Sequence, residues 1–157
     1  MTALDHFSVE SEREELMDPP GNQYCLEAQG QELKDCSEEL IDAVLTAATD
    51  VHRALGPGLL ESVYERSLMI ELSEASILAT RQAPIRVEYR GRDVGLGFRA
   101  DIIVADCLLL ELKCVDAFTP MDIAQVITYL RILGFKRGYL INFKKRLLKE
   151  GIKRVSI

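Results

Sequence analysis

The strongest constraint on the fold is the stretch 99–113, in which two short apolar runs flank a two-residue polar turn at 105–106. Short runs rich in Ile, Val and Leu around a tight turn favour a buried β-hairpin over a helix. Antiparallel pairing across that turn would bring Asp101, in the first strand, close to Glu111 and Lys113 in the second. The sequence therefore predicts a hairpin with two carboxylates and an amine on one face.

Charges inside an apolar hairpin need a physical reason, because ionised groups are costly to bury unless they are paired or hold a metal ion. Two carboxylates and a lysine are the groups that a hydrolytic metal site uses: oxygen ligands for the ion, and a cation that orients water or offsets negative charge. The alternative is an ordinary salt bridge between the lysine and a carboxylate on a solvated sheet face. The pattern of Asp101, Glu111 and Lys113 leaves both interpretations open.

Composition narrows the class of protein. The 157 residues suffice for one domain with a hydrophobic core. We find neither a signal peptide nor an apolar run that could cross a bilayer, and we expect a soluble, cytoplasmic protein without membrane association. The cysteines form no CxxC pair, which argues against a zinc or iron–sulfur site and predicts free thiols in a reducing compartment. They are Cys25, Cys36, Cys107 and Cys114.

Charge is distributed unevenly along the chain. Residues 1–40 hold eleven acidic and two basic side chains, whereas residues 131–157 hold nine basic and one acidic. A basic end permits binding to a polyanion, but it is also a common guard of an edge strand against sheet-to-sheet aggregation. The net charge of -6 therefore conceals a basic C-terminal segment.

The first 36 residues show no sustained hydrophobic period and contain a Pro-Pro-Gly-Asn break. They predict an acidic, flexible N-terminal extension, 1–36, before a single domain at 37–157. The extension could shield a basic surface of the domain or have no such role.

Hydrophobic periodicity predicts the element order ααβββαββ, a mixed β-sheet with an antiparallel meander flanked by helices, in the α/β (α+β) class. Gly56-Pro57-Gly58 separates the first two helices, and Gly95 and Gly97 predict a bulge or a close backbone approach in the second strand. The helices are expected at about 37–55, 59–76 and 120–133, and the strands at 84–89, 93–104, 107–114, 138–143 and 151–157.

Several sequence blocks occur in an order that resembles the GxxExxY proteins, a family similar to the PD-(D/E)XK nuclease superfamily. The resemblance covers about 37–157, and several blocks in register are more specific than any one. The blocks are Gly58-Leu59-Leu60-Glu61-Ser62-Val63-Tyr64, Phe98-Arg99-Ala100-Asp101, Glu111-Leu112-Lys113, Gln125-Val126-Ile127-Thr128-Tyr129 and Leu140-Ile141-Asn142-Phe143.

The resemblance implies a restriction-endonuclease-like core and a set of site residues. Glu61 corresponds to the acid of the first helix, Asp101 and Glu111 to metal ligands, and Lys113 to the catalytic lysine. Ala100 stands where many relatives have a proline before the first aspartate, so the match departs from the pattern there.

Gln125 and Tyr129 resemble the Q-x-x-x-Y motif of RecB-like nucleases, in which the motif follows the lysine on a helix. Their spacing of four residues places both side chains on one helical face. The alternative for Tyr129 is a half-buried aromatic residue of the core.

The implied activity is hydrolysis of phosphodiester bonds in DNA, with RNA as the other candidate. Mg²⁺ or Mn²⁺ would be held by Asp101, Glu111 and the Leu112 carbonyl, with Glu61 completing the shell directly or through water. The domain contains no recognisable sequence-reading module, so its target would be chosen through DNA structure or through a protein partner. Candidates for nucleic-acid phosphate contacts are Lys144, Lys145, Arg146, Lys153 and Arg154.

Two other interpretations remain at this point. The chain could be a catalytically silent nuclease-fold module that binds nucleic acid or a protein, although keeping Asp101, Glu111 and Lys113 together argues against it. It could also be a structural protein that self-associates through its last edge strand.

Overall fold

A computed structural model describes residues 32–157 and confirms the predicted fold class and the order ααβββαββ. The first strand begins at residue 79, five positions before the predicted start, and the other elements lie within a few residues of their predicted bounds. The elements are α1 Glu38–Leu55, α2 Glu61–Glu74, β1 Ala79–Tyr89, β2 Arg92–Val104, β3 Leu108–Lys113, α3 Pro120–Leu133, β4 Arg137–Asn142, a short 3-10 helix Leu148–Gly151, and β5 Ile152–Ser156.

One mixed sheet organises the domain, with strand order β1-β2-β3-β4-β5. The pairs β1–β2, β2–β3 and β4–β5 are antiparallel, whereas β3 and β4 are parallel. Parallel neighbours need a crossover connection, and α3 supplies it between β3 and β4. The predicted meander is thus β1–β3, and β5 is the predicted edge strand.

Two buried clusters pack against opposite faces of the sheet. Leu110 and Leu112 of β3 pack with residues of α1 and α2, whereas Leu109 packs with residues of α3. Strand side chains alternate between faces, so Glu111 and Lys113 share the α3 face with Leu109. This arrangement confirms the prediction that Glu111 and Lys113 point away from Leu110 and Leu112.

A tyrosine closes the loop between α1 and α2. Tyr64 is fully buried, and its hydroxyl donates to the Gly56 carbonyl at 2.6 Å and accepts from the Leu59 amide at 3.1 Å. Its ring stacks on Phe143 with centroids 4.4 Å apart. These contacts fix the loop that leads into α2, and so they fix the helix start at which Glu61 lies.

The distal part of the β1–β2 hairpin confirms both expectations for its glycines. The register shifts on either side of Arg86, which marks a bulge, and Gly95 has a φ of 101°. A Cβ on Gly97 would lie 2.1 Å from a Val87 methyl carbon. A side chain at this close approach would require Val87 to move.

The prediction of free thiols is wrong for two of the cysteines. Cys36, just before α1, and Cys107, at the start of the β3 arm, form a disulfide with Cα atoms 5.8 Å apart. They are separated by 71 residues, so only the folding of α1 against the β2–β3 turn brings them together. Cys114 is free, and Cys25 lies outside the described residues.

Residues just before α1 contact the domain. Lys34 forms a bridge with Phe135, and Arg137, whose side chain is 5% exposed, donates to Asp35 at 2.6 Å and also contacts Glu38. The rest of the predicted acidic extension lies outside the described residues, and its boundary at residue 36 stays a prediction. Within 32–157, none of the helices has the length and apolarity that crossing a bilayer requires.

Candidate active site

The predicted convergence of Asp101 and Glu111 follows from the strand register. In the β2–β3 pair, Ile102 faces Leu110 and Ile103 faces Leu109, and this pairing ends at Ile102. The next positions along the same register are Asp101 and Glu111. The two carboxylates are therefore cross-strand neighbours at the point where β2 and β3 part.

A local break in β2 opens the sheet at this point. Ala100 and Ile102 are two residues apart, and a regular strand would place them on one face. Instead, Ala100 packs in the cluster of α3 and Ile102 in the cluster of α1 and α2. The strand changes face across Asp101, whose Oδ2 accepts a hydrogen bond from the Leu112 amide at 2.9 Å.

The opening between β2 and β3 forms a pocket of about 320 Å³. All six residues predicted to be catalytic line it, together with Leu112, so the fold brings the whole predicted set into one place. The lining residues are Glu61, Ser62, Glu65, Gln82, Arg99, Asp101, Glu111, Leu112, Lys113, Gln125 and Tyr129.

Glu111 is the most strongly perturbed group of the pocket. It is 5% exposed, and among the described residues its Oε1 is the buried side-chain oxygen that lacks a hydrogen-bond partner. Burial, and then the neighbouring Asp101 charge, raise the pKa of Glu111 to about 8. Burial also raises the pKa of Asp101, against the hydrogen bond from Leu112. A cation bound between two neighbouring desolvated carboxylates would reduce the repulsion between them.

The pocket has the donors that a hard divalent cation prefers, but not three clustered side-chain ligands. Across residues 32–157, no group of three or more His, Cys, Asp or Glu side chains lies close enough to hold a metal ion. Asp101 and Glu111 supply two carboxylates, and the unpartnered Glu111 Oε1 supplies a free lone pair. Such a pair fits an ion that keeps several waters, as Mg²⁺ does. Glu61 would then act through water rather than as a third direct ligand.

Lys113 is held at the pocket from two sides. Its Nζ lies 3.9 Å from Asp122, which belongs to the capping box of α3 with Thr119. Its carbonyl accepts from the Phe143 amide at 2.8 Å, and the buried Asn142 amide group bonds Val115 just beyond it. The block at 140–143 thus fixes the strand end that carries the lysine.

Gln125 and Tyr129 lie on one face of α3, as predicted, and contact each other. The Gln125 amide donates to the Tyr129 hydroxyl at 2.6 Å, and the tyrosine ring stacks on Phe98 of β2 with centroids 3.5 Å apart. Burial raises the pKa of the Tyr129 hydroxyl. Tyr129 is therefore both a half-buried packing residue and a residue of the pocket.

Four lining residues were not singled out from the sequence: Ser62, Glu65, Gln82 and Arg99. Glu65 lies four residues after Glu61, and that spacing could have placed it on the same face of α2. Gln82 carried no local signal, whereas Arg99 belongs to the block Phe98-Arg99-Ala100-Asp101 but was given no role there. The Arg99 side chain is exposed and forms no hydrogen bond or ion pair with any described residue.

The five basic residues predicted to contact nucleic acid lie outside the pocket lining. Lys144 and Lys145 both bond Asp116, through its carboxylate and its carbonyl, each at 2.6 Å. Arg146 is exposed, as are Lys153 and Arg154 on the edge strand β5. The pocket and this basic segment are thus separate features of the surface.

A comparison with protein families agrees with this geometry. The family model of the PD-(D/E)XK nuclease superfamily matches residues 38–155, nearly the whole described part of the chain. No curated protein and no solved structure matches the chain. The narrower resemblance to GxxExxY proteins stays a prediction. The chain belongs to the PD-(D/E)XK nuclease superfamily.

Proposed function

We propose that this protein is a metal-dependent nuclease that hydrolyses phosphodiester bonds in DNA. Membership of the superfamily supports a nuclease-type function. The observation that carries the proposal is the pair of half-buried Asp101 and buried Glu111 beside Lys113, with one Glu111 oxygen lacking a partner. A salt bridge of Lys113 with either carboxylate does not explain this pair, because the ion pair that Lys113 forms is with Asp122.

The residues that would hold Mg²⁺ or Mn²⁺ are Asp101, Glu111 and the Leu112 carbonyl, with Glu61 contributing through water. Such an ion, when bound, supplies Lewis-acid catalysis and a more acidic water. Asp101 is held for this role by the Leu112 amide. Glu61 lies at the helix start, where partial burial raises its pKa even though the Lys113 charge opposes that rise.

Lys113 would orient the attacking water or offset the negative charge that develops on the phosphoryl oxygens. Its side chain is 23% exposed, so it can reach a substrate while Asp122 restrains it. Gln125 and Tyr129 would position the lysine or a phosphate of the substrate. The stacking of Tyr129 on Phe98 keeps that hydroxyl at the pocket edge.

Arg99 adds a cation that the sequence did not single out. It lines the pocket and has no acidic partner among the described residues, so its guanidinium is available for a phosphate. The basic C-terminal residues remain candidates for contacts with phosphates farther along the DNA strand. Binding there would be independent of base sequence and sensitive to salt. These residues are Lys144, Lys145, Arg146, Lys153 and Arg154.

A cleavage assay tests the proposal. Single- and double-stranded DNA and RNA of one sequence are incubated with Mg²⁺, Mn²⁺ or a chelator. We expect metal-dependent DNA cleavage that is lost in Asp101→Ala and Lys113→Ala. Asp42→Ala and Lys149→Ala change exposed residues outside the pocket and serve as matched controls. Activity unchanged in both pocket variants would remove the assignment.

A catalytically silent module that binds nucleic acid or a protein partner is the second candidate. It is favoured by the missing third side-chain ligand among residues 32–157. Calorimetric titration with Mn²⁺ separates the two candidates. A nuclease site should bind the ion specifically, and Glu111→Gln should abolish that heat, whereas a silent module should give the same trace with and without the substitution.

A further inference from the structure

The pocket contains a further buried carboxylate besides the pair of Asp101 and Glu111, that of Glu65. Glu65 is 5% exposed and lies one helical turn after Glu61 on α2. Its Oε1 accepts from Arg81 and its Oε2 from the Gln82 amide, both at 2.6 Å. Both oxygens of Glu65 accept short hydrogen bonds, and one of them is ion-paired with Arg81, so Glu65 is poorly suited to be a metal ligand. Asp101 Oδ1, in contrast, has only a 3.4 Å contact with the Gln82 amide. The role of Glu65 must therefore lie in the residues with which it forms hydrogen bonds.

Glu65 holds a residue with an unusual backbone. In the β1–β2 register, Arg81 pairs with Ile102 and Ala83 pairs with Ala100, which places Gln82 across from Asp101. Gln82 has a φ of 52°, in the left-handed region that residues with a side chain rarely adopt. Such a conformation costs on the order of 1 kcal/mol and persists only where surrounding contacts enforce it.

The Gln82 side chain joins two carboxylates. Its Nε2 donates to Glu65 at 2.6 Å and lies 3.4 Å from Asp101 Oδ1, while the Leu112 amide donates to Asp101 Oδ2. An amide nitrogen has two hydrogens, so one Gln can serve both acids. A carboxylate in its place would add repulsion, and an apolar side chain would leave the Glu65 oxygen without this donor.

We propose that Glu65 and Gln82 form a positioning bracket that aims the Asp101 carboxylate at the metal ion. Arg81 neutralises Glu65, so that the bracket can lie beside Asp101 without a second unpaired charge. Glu65 and Gln82 are positioning residues, because they act through Asp101. The inference rests on the proposed function and extends it to residues outside the first set of ligands.

The experiment measures Mn²⁺ affinity by calorimetry, with the thermal midpoint of the metal-free protein recorded for each variant. Gln82→Asn keeps the amide and tolerates a positive φ, but it is too short to reach both carboxylates. Gln82→Gly removes the side chain and relieves the backbone. Both should bind Mn²⁺ about tenfold more weakly than wild type, beyond any change that the lost hydrogen bond to Glu65 makes in the thermal midpoint. A purely structural role would instead lower the midpoint and spare the affinity.

Glu65→Gln tests the other end of the bracket and should also weaken Mn²⁺ binding, because its amide no longer offers two acceptor oxygens. Thr80→Val, an exposed change two residues before Gln82, is the control and should match wild type. Wild-type binding retained within twofold by both Gln82 variants would overturn the bracket alone. A wild type that binds Mn²⁺ no better than Glu111→Gln would instead overturn the proposed function, and the bracket with it.

Discussion

The pocket buries several of its charged side chains, whereas the basic stretch 144–154 of the C-terminal segment exposes most of its own. In the pocket, Glu111 and Glu65 are each 5% exposed, and all the oxygens of Glu65 and Asp101 have protein donors. In the segment 144–154, Lys153 and Arg154 stand in solvent on an edge strand. A few acidic side chains of the pocket are thus shielded from water, whereas most basic side chains are exposed to it.

We expect the two regions to have different roles, the pocket in the reaction and the exposed bases in attracting nucleic acid. Desolvation changes what a group can do, as the raised pKa of Glu111 illustrates. Exposed charges act on a polyanion from a distance, in a way that salt screens. We therefore expect the pocket to determine the rate of cleavage and the basic segment to contribute to affinity.

The largest expected effect compares two lysines. Lys113→Ala should lower the single-turnover cleavage rate by about 10²–10³-fold, because it removes a cation from a partly desolvated site. Lys153→Ala should change that rate by less than about twofold, since its side chain is exposed and lies outside the pocket. Equal losses of cleavage rate in the two variants would contradict the expectation that the pocket, and not the basic segment, determines the rate.

The second effect concerns pH and the stability of the metal-free protein. The folded pKa of Glu111, about 8, lies above its ordinary value of 4.5, so the folded state binds the proton more tightly. Its contribution is therefore fully present below about pH 4.5 and is lost as pH rises through 8. Glu111→Gln should remove a pH-dependent loss of folding stability on the order of 5 kcal/mol.

Chemical denaturation at pH 5, 7 and 9 measures this dependence. Glu150→Gln in the basic segment is the matched control, because Glu150 is exposed and its substitution should preserve the wild-type pH profile. A Glu111→Gln profile that parallels wild type would show that this carboxylate is not perturbed as the structure indicates.

A third comparison uses two exposed arginines. Arg99→Ala should raise the KM for DNA by about tenfold, since it removes a pocket guanidinium that a phosphate can occupy. Arg154→Ala should raise it by only about twofold, because that residue lies on β5 and bonds Ser156. Steady-state kinetics at one salt concentration provides both values, and a larger effect for Arg154 would reverse the proposed path of the substrate.

The smallest effect is the contribution of the basic segment to salt dependence. Replacing Lys153 and Arg154 together by alanine should reduce the slope of log affinity against log salt by about 1–2 units, since each phosphate contact contributes about 0.9. The cleavage rate at saturating DNA should be unchanged. Fluorescence anisotropy at several salt concentrations measures the slope, with Asp101→Ala, which we expect to be inactive, as the background. An unaltered slope would exclude the segment from the DNA contact.

Much of the fold could be predicted because its signals are local. The apolar period of α1, the Gly56 stop and the turn at 105–106 each depend on neighbouring residues, and each is found in the structure. The disulfide of Cys36 with Cys107 could not be predicted, since no spacing rule relates residues 71 positions apart. The start of β1 was also missed, because residues 79–83 alternate weakly and are ordered by pairing with β2.

The sequence alone determined the order of helices and strands, the hairpin that places Asp101 near Glu111, and the spacing that aligns Gln125 with Tyr129. These are short-range consequences of side-chain periodicity and turn chemistry. Only the tertiary structure decided that β2 changes face at Asp101, that Glu65 and Gln82 stand behind it, and that Arg99 rather than the basic C-terminal segment lines the pocket. Those features depend on which elements pack together, and burial in that packing is what turns ordinary charged residues into a site.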